Sequence, residues 1–187
     1  MHASTPTNRM TTRARAVLLA GGAVLAALTL GACSGTPGAA AVVDGHVITA
    51  QEVQSATDQL TELGQQFDVP TVLSILIQEP TMTRFAADEG VGVSDEDAAG
   101  LLDQVSQSVG IDVGEYSDAT LAIARYSLAS GNLQDAGDLE TLGERVAQRL
   151  AELDVEVNPR FGTLGETGSV EGASARPWVV TPEADAS

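Results

Sequence analysis

The stretch that decides the fold is a β-rich run that leads straight into a helix start: Val42-Val43-Asp44-Gly45-His46-Val47-Ile48-Thr49-Ala50-Gln51-Glu52-Val53. An Asp-Gly pair between two β-rich runs predicts a two-residue hairpin turn, because a type I′ turn needs positive φ at both central residues. Thr49, with Glu52 three residues later, is a capping box, which marks the first turn of a helix. The sequence therefore predicts a hairpin over residues 41–48 that enters a helix at once.

Apolar residues recur at helical spacing after this stretch and predict a mainly α fold with about five to six helices. The first helix is expected over about residues 50–67, and a second, apolar nearly all round, begins near Pro70. Pro80 predicts either a kink or a new helix at Thr81. A third helix is capped by Ser94, and two more are expected over about residues 118–130 and 136–153. The last helix is expected to bury one stripe, formed by Leu139, Leu142, Val146, Leu150 and Leu153.

The end of the helical region carries a strand signal. Val155-Glu156-Val157 alternates apolar and polar residues, and Asn158-Pro159 stops the run. A lone strand is not stable, and the predicted hairpin is the only candidate partner in the sequence. The two ends of a domain spanning residues 41–163 are therefore expected to meet in a small β element. Residues 164–187 read by composition as a disordered acidic tail. The sequence does not say whether Trp178 in this tail docks anywhere.

The N-terminus reads as an export signal. Three arginines precede an uncharged apolar run, and the run ends in the small residues of Leu30-Gly31-Ala32-Cys33. This order is that of a secretory signal peptide over residues 1–32, with Met1 or Met10 as the start. The last four residues resemble a bacterial lipobox, so Cys33 is the predicted lipidation site and residues 33–40 the predicted tether. An uncleaved membrane anchor and a secreted protein with a free thiol are the alternatives.

Composition narrows the function classes. Residues 33–187 hold all 26 acidic residues of the chain but only six arginines, so their formal charge is −20. Such a surface repels nucleic acid and anionic lipid headgroups, and the expected membrane contact is the lipid alone. A single Cys excludes an internal disulfide. The expected location is the outer face of the cell membrane, and the oligomeric state is left open.

No catalytic or metal-binding pattern is present in the sequence. His46 follows the hairpin turn and is interpreted as a solvated turn residue, because a zinc site would need further ligands. Asp95-Glu96-Asp97 lacks the spacing of a calcium loop and suits the first turn of a helix, where acids are stabilised by the dipole. Arg84 and Arg125 are interpreted as surface ion-pair partners. We therefore expect no enzyme activity, no cofactor and no metal.

Three strings together resemble one known family. Residues 42–53 resemble the opening of the SurA-type N-terminal domain, and residues 86–97 resemble its helix–turn–helix landmark with a Val-x-Val-Ser turn. Residues 155–163 look like the end segment of actinobacterial lipoproteins of this group. The resemblance implies a helical chaperone module that binds extended or partly folded exported proteins without ATP. Many relatives also carry a parvulin prolyl-isomerase domain, which has no room in residues 110–117.

The functional hypothesis that follows is a membrane-tethered, ATP-independent chaperone. Its clients would be unfolded or extended exported proteins, held in a groove between helices. The candidate client-binding residues are Val72, Ile75, Leu76, Met82, Phe85 and Tyr126. A lipoprotein that serves as a dedicated assembly factor for a single envelope partner is the alternative.

Overall fold

The computed structural model describes residues 36–137, 139–165 and 168–172. Within these residues the chain is mainly α-helical, with five helices and small antiparallel sheets, which confirms the predicted fold class. In chain order the elements are β1 (Ala39–Val43), β2 (His46–Thr49), α1 (Ala50–Glu62), α2 (Val69–Asp88), α3 (Asp95–Val109), α4 (Asp118–Ala136), α5 (Leu139–Ala151), β3 (Val155–Val157), β4 (Thr163–Leu164) and β5 (Val170–Glu171).

The predicted hairpin and its distant partner form one three-stranded sheet in the order β2-β1-β3. Asp44 and Gly45 have φ values of 49° and 82°, as a type I′ turn requires. β3 pairs antiparallel with β1, so that Val155 lies opposite Val43. The Asp44 N–H donates to the Asp154 carbonyl at 2.8 Å, and the Asp154 N–H donates to the Asp44 carboxylate at 2.9 Å. The two ends of the domain therefore meet, as the sequence predicts.

The predicted tether of residues 33–40 is too long at its C-terminal end. β1 begins at Ala39, and both Ala39 and Ala40 are buried. β1 is the central strand, and small side chains let the helices approach it closely. Composition alone predicts a linker at these alanines, because it carries no information on strand pairing.

α1 begins as the sequence predicts and ends earlier. Thr49 Oγ1 accepts from the Glu52 N–H at 3.1 Å, and the Glu52 carboxylate accepts from the Thr49 N–H at 2.7 Å, which completes the capping box. The helix stops at Glu62 and not at Phe67. Gly64 takes φ 74° directly after the helix, and the Gln65 N–H returns to the Leu60 carbonyl, which is the hydrogen bond of a Schellman cap.

α2 runs without interruption through Pro80, so no new helix begins at Thr81. Its N-cap is Asp68, whose carboxylate accepts from the Thr71 N–H at 3.0 Å. Pro80 cannot donate to the Leu76 carbonyl, which costs helix stability. The neighbouring side chains of Leu76, Ile77 and Glu79 are all buried, and this packing keeps the helix continuous.

The last two helices differ from their predicted bounds. α4 continues past Gly131 to Ala136, although the sequence places its end before that glycine. Ala129 and Leu133 belong to one buried cluster with Phe85 and Ala86, and this packing outweighs the cost of about 0.5–1 kcal/mol for a glycine inside a helix. α5 is shorter than predicted at both ends.

An ion cluster joins α2, α3 and α4. Arg125 on α4 donates through Nε to Glu79 on α2 at 2.8 Å and through Nη1 to Asp95 on α3 at 2.5 Å. The side chain of Glu79 is 10% exposed, that of Arg125 23% and that of Asp95 76%. The prediction of an ion-pair partner is therefore correct for Arg125, but its main contact is largely buried and not on the surface.

The predicted disordered tail from residue 164 onward is wrong for its first part. β4 and β5 form a short hairpin, and residues 166–167 and 173–187 lie outside the described residues. Val170 is buried, and its N–H donates to Ser74 Oγ on α2 at 2.7 Å. Gly162 lets the hairpin close, because a Cβ there would overlap the Glu171 carbonyl. Composition could not show this contact, since each strand has only two residues.

Candidate functional site

An apolar groove lies between α5 and the rest of the domain. Its volume is about 650 Å³, and α2, α4, α5, β3 and the β4–β5 hairpin all contribute to its walls. The walls are mostly aliphatic, with a few amide and hydroxyl groups. The lining residues include Gln78, Met82, Gly143, Val146, Leu150 and Leu164.

The groove exists because the apolar stripe of α5 is incompletely covered. Leu142, Val146 and Leu150 on α5 and Leu153 just after it are all half-buried, and no residue of α5 whose side chain is described is fully buried. The equivalent stripe of α1, by contrast, includes the completely buried Val53 and Ala56. The sequence therefore identifies the right stripe on α5 but assigns it wrongly to the core. Leu139 belongs to the same predicted stripe, but its side chain lies outside the described residues.

Contacts at the C-terminal end of α2 hold one edge of α5. Arg145 donates to Glu89 at 2.6 Å, and Arg149 donates to Asp88 at 2.8 Å. Both guanidinium groups also lie over the buried ring of Phe85, at 5.0 and 4.9 Å from its centroid. Exposed ion pairs contribute only about 0–1 kcal/mol each, whereas cation–π contacts contribute about 0.5–2 kcal/mol. α5 is thus fixed along this edge, while its apolar stripe faces the groove.

Polar groups of the groove are grouped around Gln78. Gln78 Nε2 donates to the Gly168 carbonyl at 3.1 Å, which ties the β4–β5 hairpin to α2. Gln78 Oε1 accepts from the Tyr126 hydroxyl, also at 3.1 Å. Burial raises the pKa of the Tyr126 phenol, and the hydroxyl of Ser130 partly offsets that rise. Ser130 and Gln134 also line the groove, so its floor offers hydrogen-bonding groups among aliphatic ones.

The structure separates the six predicted client-binding residues. Met82 lines the groove, and Tyr126 lies next to it through Gln78. Ile75 is half-buried against the main core and does not line the groove. The remaining three, which are Val72, Leu76 and Phe85, are buried in the core and present no open surface.

The groove residues that sequence reasoning missed lie on α5 and the late hairpin. Leu142, Val146 and Leu150 are absent from the predicted site because a stripe at helical spacing is usually core. Gly143 is the signal that could have marked them, since a glycine in a helix beside an apolar stripe leaves open space. A Cβ at Gly143 would meet no atom within 4 Å. Leu164 lies in a segment that composition assigns to disorder.

The other predicted features have structural roles. Asp97 completes the capping box of α3, and the hydrogen bonds that its carboxylate accepts from the Ser94 hydroxyl and N–H hold the pKa of that carboxyl below its usual value. His46 is exposed beside the turn, as the sequence predicts. Among the described residues, no group of three or more His, Cys, Asp or Glu side chains is placed to hold a metal ion.

The predicted lipobox Leu30, Gly31, Ala32 and the lipidation site Cys33 lie outside the described residues. In the part of the chain that the structure describes, no helix is long and apolar enough to cross a membrane. Comparison with known protein families, with curated proteins and with solved structures finds no match. The resemblance to the SurA-type N-terminal domain therefore stays a prediction.

Proposed function

We propose that this chain is an exported, lipid-anchored protein whose helical domain binds extended apolar segments of other exported polypeptides. The binding site is the groove beside α5, and the mechanism needs no ATP. The observation that carries the proposal is the half-buried stripe of α5, which leaves an aliphatic groove of about 650 Å³. Ligand sites in proteins usually have volumes of about 300–1,000 Å³.

The chemistry of the groove suits a polypeptide better than a single specific ligand. Aliphatic walls accept any apolar side chain, and Met82 adds an adaptable surface. Gln134 and Ser130 can exchange hydrogen bonds with a peptide backbone, whatever its side chains are. Such a site selects by hydrophobicity and extension, as binding of unfolded chains requires.

The negative charge of the domain indicates which polypeptides it is expected to bind best. The part of the chain after the predicted signal peptide has a formal charge of −20. Glu140 and Glu144 flank Gly143 on α5, and the Glu171 side chain lies beside Gly165 in the groove wall. Apolar segments that adjoin a Lys or Arg are therefore the favoured clients, and their association is expected to slow as salt increases.

The anchor would keep the groove close to the membrane. Five residues separate Cys33 from the first residue of β1. The six Cα-to-Cα steps from Cys33 to Ala39 span about 20 Å when the chain is fully extended. The domain would then meet clients as they leave the membrane, before they fold.

Photo-crosslinking in the bacterial envelope tests this proposal. The full chain would carry a photoreactive amino acid at Gly143 or Leu150 in the groove, or at Gly100 as a matched control. Gly100 is an exposed helical glycine on α3 with no atom within 4 Å of a Cβ. We expect a ladder of many exported proteins from both groove positions and none from Gly100.

Two outcomes would contradict the proposal in different ways. One discrete band from the groove would replace general client binding by the single-partner function. An identical ladder from Gly100 would mean that the captured proteins are merely nearby and that the groove has no part in binding.

A further inference from the structure

A second candidate occupant of the groove lies in this chain itself. The last described residue is Gly172, where an added Cβ would lie 3.5 Å from the ring of Pro70 at the N-terminal end of α2. The β4–β5 hairpin just before it provides Leu164, Gly165 and Gly168 to the groove wall. The remaining 15 residues therefore continue from a point about 12 Å along α2 from the groove residue Gln78.

The segment after Gly172 has the composition that the groove accepts. Residues 173–187 contain Trp178-Val179-Val180, preceded by Arg176, in an otherwise small and polar run. Pro177 and Pro182 bracket the apolar triple, and a residue that precedes proline favours an extended conformation. In an extended segment Trp178 and Val180 point to the same side. This is the same combination of an apolar segment and an adjacent arginine that the charge of the domain favours.

The length of the segment suffices for the contact. Six residues lead from Gly172 to Trp178, and they can span up to about 20 Å. Along α2, the distance from Pro70 to the groove residue Gln78 is about 12 Å, at 1.5 Å per residue. Arg176 would then lie within reach of the Glu171 carboxylate, which borders the groove residue Gly165.

We infer that residues 176–180 occupy the groove of their own chain and act as an internal client. Exported polypeptides then bind by displacing this segment. The inference rests on the same groove as the proposed function and adds a form of regulation. A client binds only if its affinity for the groove is high enough to displace residues 176–180. The bound segment also covers the apolar stripe of α5 when no client is present.

Fluorescence gives a direct test because Trp178 is the single tryptophan of the chain. The full chain, purified from the expressing bacterium, would be reconstituted in phosphatidylcholine vesicles. Its emission maximum and its quenching by acrylamide would be compared with those of a peptide of residues 173–187. We expect a blue-shifted emission and several-fold weaker quenching in the protein.

Matched variants test whether it is the groove that protects Trp178 from acrylamide. Gly143→Phe places a ring inside the groove, whereas Gly100→Phe places one on an open face of α3. The first variant is expected to restore quenching to the level of the free peptide, and the second to leave it unchanged. Equal protection in both variants would place Trp178 elsewhere, for example in the bilayer, and would overturn the inference. Peptide-like quenching in the unmodified protein would overturn it as well.

A competition experiment separates this inference from the proposed function. An extended apolar peptide with one arginine, added to the full chain, is expected to increase Trp178 quenching as it displaces the segment. If Trp178 is protected but no such peptide binds, even after deletion of residues 173–187, the proposed function fails and the internal contact stands. If the peptide binds and Trp178 is as exposed as in the free peptide, the internal contact fails alone.

Discussion

The ion cluster of Glu79, Arg125 and Asp95 predicts unequal losses of stability for two substitutions, because the groups that they affect differ in burial. Arg125→Met would leave the Glu79 carboxylate, 10% exposed, without its guanidinium partner. Breaking a fully buried pair in this way costs about 3–5 kcal/mol. The Arg125 side chain is 23% exposed, so water reaches the pair, and we expect a loss of about 2 kcal/mol. Asp95→Asn changes a group that is 76% exposed, and its expected cost is about 0–1 kcal/mol.

Urea unfolding of the full chain measures these differences. With a urea m-value of roughly 2 kcal/mol per molar, Arg125→Met lowers the midpoint by about 1 M, and Asp95→Asn lowers it by less than about 0.5 M. The double variant Glu79→Gln with Arg125→Met is expected to be more stable than Arg125→Met alone, because it removes the stranded charge. The reasoning is refuted if Asp95→Asn costs as much as Arg125→Met, or if the two changes in the double variant simply add.

Three further predictions concern stability and anchoring. Gly131→Ala in α4 meets open space and removes the flexibility of a helical glycine, so the free energy of unfolding should rise by about 0.5–1 kcal/mol in thermal unfolding; a loss would mean that the glycine is needed there. Hydrogen bonds hold the pKa values of Asp68 and Asp97 below 3.8, so the stability that these carboxylates contribute is present above that value and is lost as pH falls through their folded-state pKa. Asp68→Asn and Asp97→Asn should therefore flatten the decline of stability between about pH 5 and pH 3, and an unchanged slope would assign it to other groups. Cys33→Ser should abolish lipid attachment and retention in the membrane fraction, and retention in that fraction would favour an uncleaved anchor.

Local signals in the sequence predicted most of the fold, because the interactions that they name are local. The turn at Asp44-Gly45 and the caps at Thr49 and Ser94 each depend on residues within three positions. The pairing of β3 with β1 was also predictable, since a strand needs a partner and the sequence offers one. Helix ends were harder to predict, because the continuation of α4 through Gly131 depends on the burial of Ala129 and Leu133 in one cluster with Phe85.

The candidate site was much harder to predict. Periodicity shows that Leu142, Val146 and Leu150 share a face, but it cannot show whether that face is covered. Coverage depends on how closely α5 approaches α2 and α4, which is a property of the whole packing. For the same reason, the sequence pattern predicts Val72 and Phe85 as binding residues although both are buried. Apolar side chains in a core and in a binding groove obey the same sequence pattern.

The position of β1 at the centre of its sheet has a consequence for the order of events during the secretion proposed above. A translocated chain emerges N-terminus first, so β1 appears long before β3. The Asn158 side chain bonds to the Ala39 carbonyl, 119 residues away, and β1 keeps one unpaired edge until that region has crossed. Such late, non-local closure delays folding. Under the proposed export, the domain would therefore remain incompletely folded after its N-terminus has crossed, and a product truncated before β3 would lack one partner of β1.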